Sequence, residues 1–130
     1  MIVRDIKNII GSDKEIHAKD AQWSSRRMLL KDDAMGFSFH ETIIKANTKT
    51  HIHYKNHLEA VYCVSGNGKI EDIKTGIIHD IYDGIMYALN ENDEHNLYGG
   101  SVDMRLICVF NPPIKGSENH DENGVYPLVD

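Results

Sequence analysis

The sequence predicts an all-β chain: a single small β-barrel or jelly-roll domain spanning residues 1–130. Two observations carry that expectation. From Gln22 onward, apolar and polar residues alternate with a period of two over seven short segments. Turn-forming residues divide the segments, and Asn111-Pro112-Pro113 ends the last of them.

Residues 2–10 place Ile2, Val3, Ile6, Ile9 and Ile10 ahead of Gly11, which predicts a short N-terminal helix or the start of a strand. Strands are then predicted over 23–30, 36–44, 57–64, 69–73, 77–81, 85–89 and 102–110. Between them lie Asp32-Asp33-Ala34-Met35-Gly36, Ser65-Gly66-Asn67-Gly68, Lys74-Thr75-Gly76 and Tyr82-Asp83-Gly84. Residues 90–96 read as a polar loop. The tail, 114–130, is polar and rich in turns, but it closes on Val125-Tyr126-Pro127-Leu128. A disordered terminus is one reading of it. The apolar cluster predicts instead that the tail docks over the barrel mouth as a lid.

Composition narrows the function. A formal charge of −6 and a pI near 5.7 argue against a nucleic-acid partner, which calls for a basic patch. They suit a soluble enzyme or small-molecule binder. No apolar run reaches the roughly 18 residues of a membrane span. Met1-Ile2-Val3-Arg4-Asp5 is not the start of a long apolar leader, so a cytoplasmic location is expected. Cys63 and Cys108 sit in apolar runs without the paired spacing of a zinc site. Both read as small buried hydrophobes of a reducing compartment.

One residue breaks the apolar pattern. Alternation puts Glu59, Val61 and Cys63 on one strand face and Leu58, Ala60, Tyr62 and Val64 on the other. An ionised carboxylate on an apolar face is costly unless it is paired or binds a metal. His51, His53 and His57 lie just upstream, which makes a metal the economical reading. A mouth-facing glutamate with no ligand role is the alternative.

Glu59 through Gly66 has the E-x6-G form of the first cupin motif. The second motif, G-x5-P-x-G-x2-H, keeps its glycine frame at Gly76 and Gly84, with Tyr82 at the proline position and Tyr87 at the histidine position. The His-x-His pair that usually precedes the glutamate by four or five residues is displaced here to His51 and His53. An unusual metal shell is therefore expected. Tyr87, between Ile85 and Leu89 on one strand face, points where a ligand histidine would sit, and His95 follows eight residues later.

Longer stretches resemble the ectoine synthase family, small cupin enzymes of bacterial osmolyte synthesis. They are Trp23-Ser24-Ser25-Arg26-Arg27, Gly36-Phe37-Ser38-Phe39-His40-Glu41-Thr42, the block from Thr50 to Cys63, Met86-Tyr87-Ala88-Leu89, Val109-Phe110-Asn111-Pro112-Pro113 and the segment from Asp121 to Leu128. The resemblance implies an iron-dependent hydro-lyase. Such enzymes close the ring of N-γ-acetyl-L-2,4-diaminobutyrate with loss of water to give ectoine, a compatible solute. It implies iron (Fe2+) held by Glu59, Tyr87 and His95. It places substrate contacts at Trp23, Arg27, His40, Thr42, Tyr54, His57 and Phe110, and functional tail residues at Glu118 and His120.

The residue types suit that chemistry. A carboxylate, a phenolate and an imidazole suit iron, and the donor types alone also accommodate zinc or manganese. Trp23, Ser25 and Arg27 share a face, so Arg27 is the expected partner of the substrate carboxylate. Trp23 and Phe110 are expected to wall the substrate and exclude water, ordinary core packing being the alternative. Tyr54, Glu118 and His120 are the candidates for proton transfer. His51 and His53 are expected to be hydrogen-bonding or surface residues. A homodimer through sheet edges and apolar faces is expected. Two other readings follow from the cupin frame, a dioxygenase or isomerase with a rearranged shell, and a non-catalytic sensor.

Overall fold

The computed structural model describes residues 1–127; Leu128, from the apolar cluster of the tail, lies outside the described residues. Asp5 caps a one-turn helix, α1 (Ile6–Ile9), by accepting the Lys7 N–H at 2.9 Å. The helical reading of 2–10 holds for one turn. Ile9 is buried there, whereas Ile2, Val3 and Ile10 stay exposed.

Ten strands follow: β1 (Glu15–His17), β2 (Trp23–Leu29), β3 (Ser38–Ile44), β4 (Lys49–Ile52), β5 (Leu58–Ser65), β6 (Asn67–Asp72), β7 (Ile78–Tyr82), β8 (Met86–Leu89), β9 (His95–Gly99) and β10 (Met104–Asn111). They form a six-stranded sheet, β1-β2-β3-β10-β5-β8, and a four-stranded sheet, β4-β9-β6-β7. Every paired ladder is antiparallel. The all-β jelly-roll expectation is met, and the seven expected strands lie within two residues of observed ones.

The count of seven is corrected to ten. β1 is too short, at three residues, to show an alternation, and β4 and β9 carry weak local signals because their hydrogen-bonding partners are distant in sequence. β4 alternates exposed Lys49 and His51 with buried Thr50 and Ile52. It is held by β9, with Lys49 opposite Tyr98 and Ile52 opposite His95. The expected loop 90–96 therefore ends earlier, and His95 opens a strand.

The two sheets enclose the core between their inner faces. On β5, Glu59, Val61 and Cys63 are buried while Leu58, Ala60 and Tyr62 face out. On β10, Met104, Leu106, Cys108 and Phe110 are buried. Both cysteines are free and inside the core, as expected. Gly66, the glycine of the first motif, has φ +105°, and an added Cβ would lie 2.7 Å from the Met104 Cα. The turn out of β5 needs both the left-handed backbone and the missing side chain.

The tail docks. Ile114 accepts the Lys31 N–H at 2.8 Å and donates its own to Ser38 Oγ at 3.2 Å. Gly124 accepts the His53 N–H at 2.9 Å, and Asn56 Nδ2 donates to the Tyr126 carbonyl at 3.0 Å. Ile114, Val125 and Tyr126 are buried beneath this strap.

Candidate active site

Strand register brings the inward side chains together, because directly opposed residues share a face. Arg27 on β2 opposes His40 on β3, His40 opposes Cys108 on β10, and Cys108 opposes Val61 on β5. Thr42 opposes both Ser25 and Leu106, and Glu59 opposes both Phe110 and Leu89. Tyr87 on β8 opposes Val61, one pleat from Glu59. The sheet thus lays the polar candidates of four strands on its inner surface.

A small cavity of about 30 Å³ lies against that surface. Trp23, Thr42, Tyr54, Glu59, Tyr87, Phe110 and His120 all line it. Arg27, His40, His57, His95 and Glu118 do not; they stand behind the lining. His40 stacks on Phe110 at 5.1 Å between centroids, and His57 meets Phe110 edge-on at 5.9 Å. His95 meets the Tyr54 ring edge-on at 6.3 Å.

The tail supplies part of the wall. His120 Nε2 lies 2.7 Å from the Tyr54 hydroxyl, and the His120 ring packs on Trp23 at 4.7 Å. Burial drives the His120 pKa down to about 3 and holds the Tyr54 phenol well above its ordinary value. Glu118 is buried and accepts the N–H groups of Lys115 and Gly116, each at 2.8 Å. Its carboxylate therefore shapes the tail loop directly.

Arg27 is completely buried. Its Nη1 donates to the Gly116 carbonyl at 2.7 Å, and Nε and Nη2 reach Ser25 Oγ and the Tyr126 hydroxyl, both at 3.4 Å. No carboxylate pairs with it among the described residues. A buried cation held only by neutral oxygens is poised for an anion.

Sequence reasoning does not single out Tyr126 as a site residue. It lines the cavity, stacks on Tyr54 at 4.9 Å and lies 5.6 Å under the Arg27 guanidinium. Its one sequence signal is its place in the apolar end of a polar tail. His51 is a surface residue, with Nε2 2.6 Å from Glu94 Oε2, as expected for a residue outside the site.

The expected metal ligands can be tested against the structure. Burial pushes the Glu59 carboxyl up to about 8 and the Tyr87 phenol well above its usual range. His95 is shifted down, again by burial first. Each change disfavours charge in a site without a cation, and a bound cation reverses that balance. His95 Nδ1 lies 2.8 Å from the Asp93 carbonyl, which can only accept, so Nδ1 carries the proton. The lone pair on Nε2 is then buried without a partner. A histidine oriented by a carbonyl, with its other nitrogen free, is the arrangement of a metal ligand. Among the described residues, no group of three or more His, Cys, Asp and Glu side chains is placed to hold a metal. Any cage here therefore needs a donor of another type, which the phenol of Tyr87 would supply. The residues fit the cofactor.

Known proteins resemble this chain in sequence and fold. Residues 1–130 match the family described as ectoine synthase. The L-ectoine synthase of Desulfosudis oleivorans is 60% identical over 130 residues, covering 100% of this chain and 99% of the relative. The crystal structure of ectoine synthase from P. lautus superposes with a TM-score of 0.87 at 48% identity, covering 100% of this chain and 94% of that one. A Cupin_2 domain of an XRE family transcriptional regulator from Enterobacter cloacae shares the fold at a TM-score of 0.59 and 14% identity, over 71% of this chain and 98% of that one. The barrel is a cupin barrel, and the chain belongs to the ectoine synthase family.

Proposed function

We propose that this chain, as one cupin domain over residues 1–130, closes N-γ-acetyl-L-2,4-diaminobutyrate into ectoine and releases one water. The α-amine attacks the acetamide carbonyl carbon, a C–N bond forms, and the former carbonyl oxygen leaves as water. The observation that carries the reading is the pairing of Glu59 with Tyr87. A buried carboxyl and a half-buried tyrosine line one cavity, and the tyrosine shares a second cleft with His95, whose Nε2 has no partner.

Glu59, Tyr87 and His95 would hold iron(II), which supplies a Lewis acid for the acetyl oxygen when bound. Trp23 and Phe110 confine the chain in a curled, reactive shape; good orientation is worth roughly 7–11 kcal/mol. Arg27 offers its unpaired charge to the substrate carboxylate. Thr42 presents its hydroxyl to the cavity, with His40 and His57 bracing Phe110 behind it. Tyr54 and His120, joined by a hydrogen bond, move protons between the attacking amine and the departing oxygen. Glu118 holds the tail loop that brings His120 in.

The cavity is far smaller than the roughly 300 Å³ or more of a small-molecule site. Two of its walls, His120 and Tyr126, belong to the tail. Substrate therefore enters with the tail lifted, and closure completes the site and excludes water.

The outer face of β5 and β8 carries Tyr62 at 48% and Met86 at 61% exposure, beside Leu58. That apolar face supports a homodimer, which sedimentation velocity would resolve. No helix among the described residues is long and apolar enough to cross a membrane. The reading places the enzyme in the cytoplasm, with a small molecule as its partner and no nucleic acid. The experiment that tests it incubates iron-loaded protein with the acetylated diamine and follows loss of one water by mass spectrometry. Chelated protein is the control, and an unchanged substrate mass would overturn the assignment.

A further inference from the structure

A second cleft reaches two members of that ligand set, Tyr87 and His95. It has a volume of about 140 Å³ and is lined by Asp72, His79, Tyr87, Asp93 and His95 among others. Tyr87 also lines the inner cavity, so the phenol forms a wall common to both. No tail residue lines this cleft.

By parity the polar residues here fall on the same pleat as buried apolar neighbours, with Asp72 half-buried and His79 exposed at the rim. Asp72 lies two residues from buried Ile70, His79 two from buried Ile81, and His95 two from buried Leu97. Register agrees, because Asp72 opposes His95 across β6 and β9, and Ile70 opposes His79 across β6 and β7. An acid and an imidazole at the rim of this pleat contribute nothing to an apolar core. They can discourage edge pairing at β7, which is the ordinary use of such residues. That use does not explain why the row runs into His95, whose Nε2 is buried and has no partner. At roughly 30 Å³ per water, the cleft holds about five waters, enough for a partly hydrated ion.

We propose that this cleft is the path by which a divalent cation reaches and leaves Glu59, Tyr87 and His95, with Asp72, His79 and Asp93 as successive transient ligands. The proposal rests on the metal reading above. It separates two traffics: substrate passes under the tail, and the cation passes between the sheets. A transient ligand lowers the barrier in both directions, so its removal slows uptake and release together and leaves the final occupancy unchanged.

The test mixes metal-free protein with Co(II) and follows visible absorption by stopped flow, then repeats the measurement for release into a chelator. The variant is Asp72→Asn with His79→Gln. Both positions are exposed or half-buried, and the side-chain amide introduced by the first change can still accept the Lys74 N–H. Uptake and release should each slow by about 10-fold, the lower end of electrostatic steering, at equal final absorbance. Asp72→Lys should slow uptake further. A control, Asp20→Asn with Glu122→Gln, alters the charged cleft beside the tail and should load at the wild-type rate. Wild-type rates in the Asp72→Asn, His79→Gln protein, or slowing confined to the tail-side control, would overturn the path. The ligand set is tested separately by His95→Ala and Glu59→Gln, whose Co(II) occupancy should fall. Wild-type occupancy in those two proteins would remove the destination itself.

Discussion

The Tyr54 hydroxyl and His120 Nε2 lie 2.7 Å apart, joining the β4–β5 connection to a tail residue 66 positions later in the chain. Tyr54 is buried and His120 half-buried, and both are neutral near pH 7, because desolvation lowers the imidazole and raises the phenol. With the phenol raised and the imidazole lowered, the proton rests on Tyr54, and the hydrogen bond fixes both groups for exchange with the reacting atoms. We expect Tyr54→Phe and His120→Gln each to lower kcat by about 10²–10⁴-fold. The double variant should lose little beyond the worse single one, since each change already breaks the shared bond. Turnover by mass spectrometry checks this; additive losses would mean that the two act separately.

Arg27 has two tasks. It holds the tail through the Gly116 carbonyl and faces no carboxylate of its own. Lysine cannot reproduce the planar fork. Arg27→Lys should therefore raise KM more than it lowers kcat, and should speed proteolysis of the tail after Pro113. A variant with unchanged KM would show that the guanidinium is only a latch.

Much of this site is legible without the fold. Glu59 stands out because the alternation of β5 is regular, and Tyr87 because the glycine frame fixes the position it occupies. Trp23, Arg27, His40 and Thr42 enter through the family resemblance, with parity adding that Trp23 and Arg27 share a face. His95 reads as part of a loop because β9 owes its existence to β4 and β6, partners that local sequence does not reveal. Tyr126 escapes notice for a related reason. Its role comes from stacking on Tyr54 and lying under Arg27, contacts that form only when the tail folds back. The bond from Arg27 to Gly116, 89 positions apart, leaves no trace in composition or periodicity.

Metal should stabilise as well as activate. A ligand that binds only the folded state adds RT ln(1 + [L]/Kd), or about 2.7 kcal/mol at one hundred times Kd. At roughly 4 °C per kcal/mol for a chain of this size, iron(II) should raise the Tm by about 10 °C. Chelator should reverse the rise. His95→Ala and Tyr87→Phe should flatten it while keeping a cooperative transition. A rise of wild-type size in both variants would place the ion elsewhere.

Two glycines with similar backbone angles should respond differently to alanine. Gly66 has φ +105° and Gly84 φ +94°. Around Gly84 a new Cβ meets nothing within 4 Å, whereas at Gly66 it would run into the backbone at Asp103 and Met104. Gly84→Ala should cost only the left-handed backbone penalty, about 1 kcal/mol. Gly66→Ala adds a clash with backbone that cannot turn aside, and at least about 3 kcal/mol is expected. Urea unfolding of the two variants checks the ordering, and equal losses would count against it.

The pH dependence of stability can be isolated at Asp33. Its carboxylate pairs with Arg4 at 2.7 Å and accepts the Leu30 N–H at 2.8 Å, tying the N-terminal arm to the turn before β3. The Arg4 hydrogen bond is the larger cause, and it holds the pKa near 2, below the ordinary 3.8. Because the folded pKa is depressed, the unfolded state takes up the proton first as pH falls. The stabilisation is therefore complete above about pH 4 and disappears as pH drops through about 2. The pair is partly open to water, which limits its worth to about 1 kcal/mol. Asp33→Asn should be less stable than wild type by that amount at pH 6, and the two proteins should converge by pH 2. Urea titrations at pH 6, 4, 3 and 2 measure the gap, and a difference that persists at pH 2 would assign the effect to packing instead of charge.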